Sequence, residues 1–159
     1  MFSHKRVLVA LDGSAAGETV MKFVMEIAGP LDMTVMLLHV LEPVAPMAAD
    51  GIMVVDGIEA RKREAEEYLA PIAAMLRSQG VEAAWAIRHG RAADEILAAA
   101  EENGADLIAM ATHGRSGLGR LLFGSVAEAV LRRAPVPIFM IRQPHTVEAA
   151  TAAREVKVK

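Results

Sequence analysis

Apolar and polar positions along the chain alternate between short apolar runs and longer stretches with helical spacing. The runs predict five strands, at 7–11, 33–40, 81–88, 106–111 and 138–141. Between them, apolar residues recur every three or four positions, which predicts helices at 15–28, 59–79, 92–100 and 121–133. The segment from Glu42 to Gly57 has no steady period, so a long loop that includes at most a short helical piece is predicted there.

Individual residues mark where the predicted helices begin, bend and end. Ser14 is a residue typical of a helix N-cap, and Gly29-Pro30 stops the helix that follows it. Pro71 predicts a bend within the second helix because it removes one backbone hydrogen bond. Gly80 ends that helix, and Gly104 is typical of the residue after a helix C-terminus.

The alternation of strands with helices predicts an α/β fold. Parallel crossover units give a doubly wound, five-stranded parallel sheet with helices on both faces, hence three layers. We expect one domain over residues 1–142, followed by a polar tail at 143–159. Ligands of such sheets bind beyond the carboxyl ends of the strands, where the strand order reverses. Candidate residues therefore follow the first, second and fourth strands, at Asp12, Val40 and Ala111.

Composition and charge exclude several classes of function. The net charge of −3 provides no basic surface for nucleic acid or an anionic membrane, and the absence of cysteine excludes thiolate chemistry. The histidines lack metal-ligand spacing and no Ser–His–acid set can be assigned, so no metal and no catalytic residue is expected. No apolar run reaches the roughly 18 residues of a membrane span or the roughly 7–15 of a signal-peptide core. We therefore expect a cytoplasmic protein.

The chemistry is concentrated in residues 111–125, which leave the fourth strand and enter a helix. This segment contains Gly114, Gly117, Gly119 and Gly124, and it ends in a serine hydroxyl. Glycines allow backbone amides to approach an anion, and a helix N-terminus adds partial positive charge, so the segment fits a phosphate. A Walker A loop is excluded because no lysine precedes the serine. A dinucleotide-binding fingerprint is excluded because the segment lacks the third glycine that this motif requires. From these residues alone, a turn-rich connection remains the alternative.

At this point the sequence resembles the universal stress protein family. The resemblance rests on Ala-Thr-His-Gly-Arg-Ser-Gly at 111–117, on Leu-Leu-Phe-Gly-Ser-Val-Ala-Glu-Ala at 121–129, and on Arg-Val-Leu-Val-Ala-Leu-Asp-Gly-Ser at 6–14. The ATP-binding members of the family share the pattern Gly-x2-Gly-x9-Gly-Ser/Thr. Residues 111, 114, 124 and 125 match its spacing, with Ala111 in place of the first glycine.

The resemblance implies a Rossmann-like fold of the adenine-nucleotide-binding type and a set of nucleotide-binding residues. Asp12 and its neighbours are expected at the base and ribose end, Val40 and Met110 at the base, and the amides around Gly124 at the phosphates. The full implied set is Ala10, Leu11, Asp12, Val40, Met110, Ala111, Gly114, Arg115, Gly124, Ser125 and Val126. The implied cofactor is ATP or another adenine nucleotide, with Mg²⁺ as an accompanying ion.

The resemblance also implies a function and partners. The chain is expected to be a stress-response regulatory module with at most slow ATP hydrolysis, acting through a downstream protein partner. A homodimer is implied through the last strand, at Val136–Ile141. Two alternatives stay open: a dimeric interaction module of the same family that binds no nucleotide, and an enzyme of the wider nucleotide-binding superfamily.

Overall fold

Four helices and five strands alternate along the part of the chain that the computed structural model describes, residues 5–43, 51–112 and 124–142. The strands are β1 (Arg6–Ala10), β2 (Thr34–Leu41), β3 (Ala83–His89), β4 (Leu107–Ala111) and β5 (Ile138–Ile141). The helices are α1 (Ala15–Ala28), α2 (Gly51–Ser78), α3 (Ala92–Glu102) and α4 (Ser125–Arg133). The predicted strands are confirmed, with ends that differ by one or two residues.

All strand pairs of the sheet are parallel, and the strand order is β3-β2-β1-β4-β5. The chain first builds outward from β1 to β3 and then returns to the other side of β1 to add β4 and β5. The order therefore reverses between β1 and β4, where Val7 pairs with Leu107 and Val9 with Ala109. The predicted doubly wound α/β fold is confirmed, and this central pair of strands marks its switch point.

The sheet separates two layers of core packing. Side chains alternate across β1, so Val7 and Val9 pack with α1 and α2, whereas Leu8 packs with α3 and α4. All three are at most 1% exposed. This burial on both faces explains why the first strand is an unbroken apolar run and not an alternating one.

Capping residues fix the helix ends close to the predicted positions. Ser14 is the N-cap of α1, and its hydroxyl oxygen accepts a hydrogen bond from the amide of Gly17. Gly104 has a φ of +57° just after α3, a left-handed conformation that glycine adopts without strain. The end signals at Ser14 and Gly104 are thus confirmed.

Helix α2 corrects the prediction of a loop from Glu42 to Gly57. The helix begins at Gly51, eight residues before the predicted start, and Pro71 lies inside it without ending it. Ile52–Val55 are four consecutive apolar residues, so no helical period was visible there. Once a helix has formed, each added residue contributes a hydrogen bond, which allows extension through glycines. Residues 44–50 lie outside the described part of the chain.

The start of α4 corrects the predicted helix at 121–133. Gly124 is the N-cap, with φ −68° and ψ 158°, so the helix begins at Ser125. Residues 121–123, like the predicted tail at 143–159, lie outside the described residues. The extended backbone of Gly124 directly precedes the first helical residue, Ser125.

Ion pairs connect the helices on one face of the sheet. Arg133 of α4 donates a hydrogen bond to the carboxylate of Asp94 on α3. That hydrogen bond holds the pKa of Asp94 below its ordinary value, since the guanidinium favours the ionised carboxylate. Arg88 of β3 likewise pairs with Glu95 of α3. These pairs join α3 to α4 and to β3.

Candidate functional site

A cavity of about 460 Å³ opens at the switch point, beyond the carboxyl ends of β1, β2 and β4. Every predicted site residue that the structure describes lines it, namely Ala10, Leu11, Asp12, Val40, Met110, Ala111, Gly124, Ser125 and Val126. Gly114 and Arg115, also predicted, lie outside the described residues. The sheet thus brings together segments that are more than 100 residues apart in sequence.

The beginning of α4 forms one wall of this cavity. Gly124 donates from its backbone amide to the carbonyl of Thr112, at 2.8 Å, directly after β4. A Cβ atom at position 124 would lie only 2.9 Å from that carbonyl oxygen. Only glycine therefore allows the helix to start this close to the strand end.

Helix α4 also differs from α1 and α3 in the way its N-terminus is capped. The hydroxyl of Ser14 caps α1, and a carboxylate oxygen of Glu42 accepts from the amide of Ala92 at the start of α3. The N-cap of α4 is Gly124, which has no side chain to cap the helix, and the amides of a helix's first turn have no partner within the helix itself. Ser125, Val126 and Ala127 line the cavity. The positive end of the helix dipole thus lies at the cavity wall.

The end of β1 contributes Asp12. One of its carboxylate oxygens accepts a hydrogen bond from the amide of Ser14, at 3.0 Å, so Asp12 stabilises the turn before α1. The same residue lines the cavity. Asp12 therefore has a structural role in the turn and also presents negative charge at the cavity.

The end of β2 contributes both apolar and polar groups. Val40 lies on the same side of the sheet as Met110 and Ala10, and together they give this part of the cavity an apolar surface. On the other side, His39 donates from Nδ1 to the carbonyl of Leu11, at 2.8 Å. That hydrogen bond requires a proton on Nδ1, and it ties the end of β2 to the end of β1.

Ala111, the departure from the family pattern, lies on the side of the sheet that packs against α1. It is half-buried beside the apolar cluster on that side, whereas Val40 and Met110 belong to the cluster on the opposite side. The core therefore accommodates its methyl group. An alanine at this position is compatible with an open cavity next to Val40.

Sequence reasoning missed several residues that line the cavity. Arg61 of α2 donates to the backbone carbonyl of Glu42, at 3.1 Å, and both line the cavity beyond β2. Thr112 follows β4 and is only 4% exposed. Thr112 could have been found from its place directly after a strand. Arg61 belongs to a polar stretch of α2, and no sequence signal distinguishes it from the other charged residues there.

Neither a metal-binding cluster nor a membrane-spanning helix is found in the part of the chain that the structure describes. Within residues 5–43, 51–112 and 124–142, no group of three or more His, Asp or Glu side chains is arranged to hold a metal ion. No helix in the same ranges is long and apolar enough to cross a membrane.

The family is decided by comparison with known proteins. Residues 3–142 match the model of the universal stress protein family. The chain belongs to the universal stress protein family. A universal stress protein of Methanocaldococcus jannaschii is 33% identical over 143 residues, which cover 89% of this chain and 84% of the relative. The resemblance seen in the sequence motifs is thus confirmed.

Solved structures of the family share the fold. A second universal stress protein of Methanocaldococcus jannaschii, different from the relative above, superposes with a TM-score of 0.73 at 26% identity. The match covers 91% of this chain and 99% of the other. A universal stress protein from Archaeoglobus fulgidus, solved in complex with dAMP, has a TM-score of 0.61 at 25% identity. That match covers 89% of this chain and 99% of the other. The predicted Rossmann-like fold is therefore confirmed.

Proposed function

We propose that this universal stress protein is a cytoplasmic, ATP-binding or adenine-nucleotide-binding regulatory module with at most slow ATP hydrolysis. The observation that carries the proposal is the start of α4. A helix N-terminus whose N-cap is a glycine, at a position where a Cβ atom would lie 2.9 Å from the Thr112 carbonyl oxygen, faces a cavity at the switch point of the sheet. Such a helix end binds phosphate through its amides and its dipole.

The remaining lining residues fit the other end of a nucleotide. Val40, Met110 and Ala10 supply an apolar surface suited to a base. Asp12 supplies hydrogen-bond acceptors just beyond the carboxyl end of β1. Solved relatives in complex with dAMP and with cAMP, each 25% identical to this chain, support an adenine nucleotide as ligand. Mg²⁺ would accompany the phosphates of ATP as a counter-ion.

A regulatory role is favoured over rapid catalysis by the state of the two described carboxylates at the cavity. Asp12 accepts from the amide of Ser14, and Glu42 accepts from the amide of Ala92. Both carboxylates thus have structural roles, at the beginnings of α1 and α3. Hydrolysis at this site is therefore expected to be slow, and the nucleotide serves as a signal to a downstream protein partner.

The proposal predicts saturable binding of ATP to the purified protein. Isothermal titration with ATP, with and without Mg²⁺, should give a single class of sites, and AMP and cAMP should compete. Since only the folded state binds, ATP at one hundred times its dissociation constant should stabilise the fold by about 2.7 kcal/mol. An absence of saturable binding at millimolar ATP would overturn the proposal and favour the interaction module without nucleotide.

We further propose that two copies of the chain associate through the edge strand β5 and the residues before it, Val136–Ile141. β5 is the last strand of the sheet order, so one of its edges has no partner strand within the described chain. Its four apolar side chains are only half-buried. An apolar edge strand left unpaired favours aggregation, and pairing with a second copy removes that hazard.

Replacing Met140 by lysine should convert the dimer into a monomer, because two ammonium groups would be brought together at the shared edge. Sedimentation velocity measures the change. The control is Leu31→Lys, at an exposed position outside the strands, which should leave the dimer intact. A wild-type protein that sediments as a monomer would contradict the proposed association.

A further inference from the structure

Arg61 of α2 is a half-buried cation for which no carboxylate partner is found among the described residues. Of the arginines that the structure describes, Arg61 and Arg88 are half-buried and the others are exposed. Arg88 pairs with the carboxylates of Glu95 and Glu102, whereas none of the ion pairs found within the described ranges includes Arg61. A charge that is partly withdrawn from water without a counter-charge is unfavourable, so this side chain requires an explanation.

The place of Arg61 in the fold supplies one, because the residue lines the candidate cavity. No other described arginine or lysine lines it. Nη1 of Arg61 donates to the backbone carbonyl of Glu42, at 3.1 Å, directly after β2. A guanidinium has five N–H donors, and this contact uses one of them. The hydrogen bond therefore holds the charged group at the cavity and leaves further donors available to a ligand.

The side chain of Glu42 is engaged elsewhere. Its Oε1 accepts a hydrogen bond from the backbone amide of Ala92, at 3.2 Å, where α3 begins. A carboxylate is favourable at that position because it faces the positive end of the helix dipole. Glu42 thus offers its carbonyl to Arg61 and directs its negative charge to α3.

The cavity therefore has positive charge at two separate places. One is the beginning of α4, which comes after β4, and the other is Arg61, held at the end of β2. β1 lies between these two strands. Neighbouring strands are about 4.8 Å apart, so about 10 Å separates β2 from β4. A single phosphate group held by the amides of α4 is too small to bridge that distance and contact Arg61 as well.

We propose that Arg61 binds a second phosphate group of the ligand, separate from the phosphates at the beginning of α4. A guanidinium matches a phosphate group in charge and geometry, since two parallel N–H donors meet two phosphate oxygens. The ligand class is a nucleoside bisphosphate, in which the two phosphate groups are attached to different atoms of the sugar. The inference rests on the proposed nucleotide-binding function and deepens it, because it names the kind of nucleotide that the cavity prefers.

The test measures the dissociation constants of AMP, adenosine 2′,5′-bisphosphate and adenosine 3′,5′-bisphosphate by isothermal titration. The wild type should bind at least one bisphosphate about tenfold more tightly than AMP, the value expected for one charge-assisted hydrogen bond. Arg61→Met retains an unbranched apolar stem and removes the charge, so it should reduce that ratio to about twofold or less. Arg61→Lys keeps the charge without the paired donors, and its ratio should lie between the two.

Two controls separate a local contact from a general effect of charge. Arg63→Met removes the same charge from an exposed position of the same helix that does not line the cavity, and it should keep the wild-type ratio. ADP carries its two phosphates in a single chain. The ratio of the AMP and ADP dissociation constants should therefore be the same in the wild type and in Arg61→Met.

The outcomes distinguish this inference from the function on which it rests. If the wild type binds AMP and both bisphosphates equally well, the second phosphate site is wrong and the nucleotide site stands. If Arg61→Met weakens the binding of AMP and of the bisphosphates by the same factor, Arg61 contacts another part of the nucleotide and the inference is overturned. If Arg61→Met keeps the ratio and lowers the melting temperature of the nucleotide-free protein, Arg61 serves the fold alone. If the wild type binds none of these nucleotides, nor ATP, the proposed function fails and the second site fails with it.

Discussion

Replacing Gly124 by alanine is expected to weaken nucleotide binding about tenfold or more and to destabilise the fold by about 1–3 kcal/mol. The added Cβ would lie 2.9 Å from the carbonyl oxygen of Thr112, and that carbonyl also accepts the amide of residue 124. Because backbone and not a flexible side chain is in the way, the start of α4 must move. The first-turn amides that face the cavity move with it. Titration calorimetry with ATP measures the binding, and urea unfolding measures the stability.

The control for this change is Gly29→Ala, whose new methyl group has no contact closer than 4.0 Å. It should leave the dissociation constant unchanged and the stability within about 0.5 kcal/mol. If Gly124→Ala binds ATP as tightly as the wild type, the amides at the start of α4 are not the phosphate ligands. The proposed function would then lose the observation that carries it.

Replacing Leu8 by alanine is expected to lower the free energy of unfolding by about 2–5 kcal/mol. Leu8 is 0% exposed on β1, the central strand, with Met36 of β2 and Ile108 of β4 as its register partners. Truncation leaves a cavity between the sheet and the helices on the α3–α4 side, and strands on both sides prevent the gap from closing. Equilibrium urea unfolding followed by circular dichroism gives the change.

Leu31→Ala is the matched control, because the same atoms are removed from a side chain that is 59% exposed. Its effect should stay within about 0.5 kcal/mol. A loss at Leu8 no larger than at Leu31 would contradict the described packing of β1 at the centre of the sheet.

The sheet could be predicted because its signals are local. A run such as Val7–Val9 is apolar at every position, since a central parallel strand is buried on both faces. Ser14 and Gly104 mark helix ends through their own backbone and side-chain chemistry. The strand order could not be read from any single apolar run. The alternation of strands and helices nevertheless leaves few possible topologies, and one of them places Asp12 and Ala111 at the same edge of the sheet.

What could not be predicted depends on contacts across the fold. The early start of α2 is hidden by consecutive apolar residues and by Gly51 and Gly57, which weaken the helical pattern. Arg61 reaches the cavity because α2 brings it to the backbone carbonyl of Glu42, and its sequence neighbours give no sign of that contact. A spacing rule finds residues on one segment, whereas these positions are defined by three-dimensional packing.

The strand order has a consequence for synthesis and folding of the chain. β1 is made first, and its pairing partner β4 begins about 100 residues later, at Leu107. A nascent chain can pair β1 with β2 and β2 with β3 early, but one edge of β1 stays open until β4 emerges. The cavity lies at the junction of β1 and β4, so a ligand can bind there only after the two halves of the sheet have joined. Occupancy of the cavity would therefore favour the completed sheet over its half-assembled intermediates.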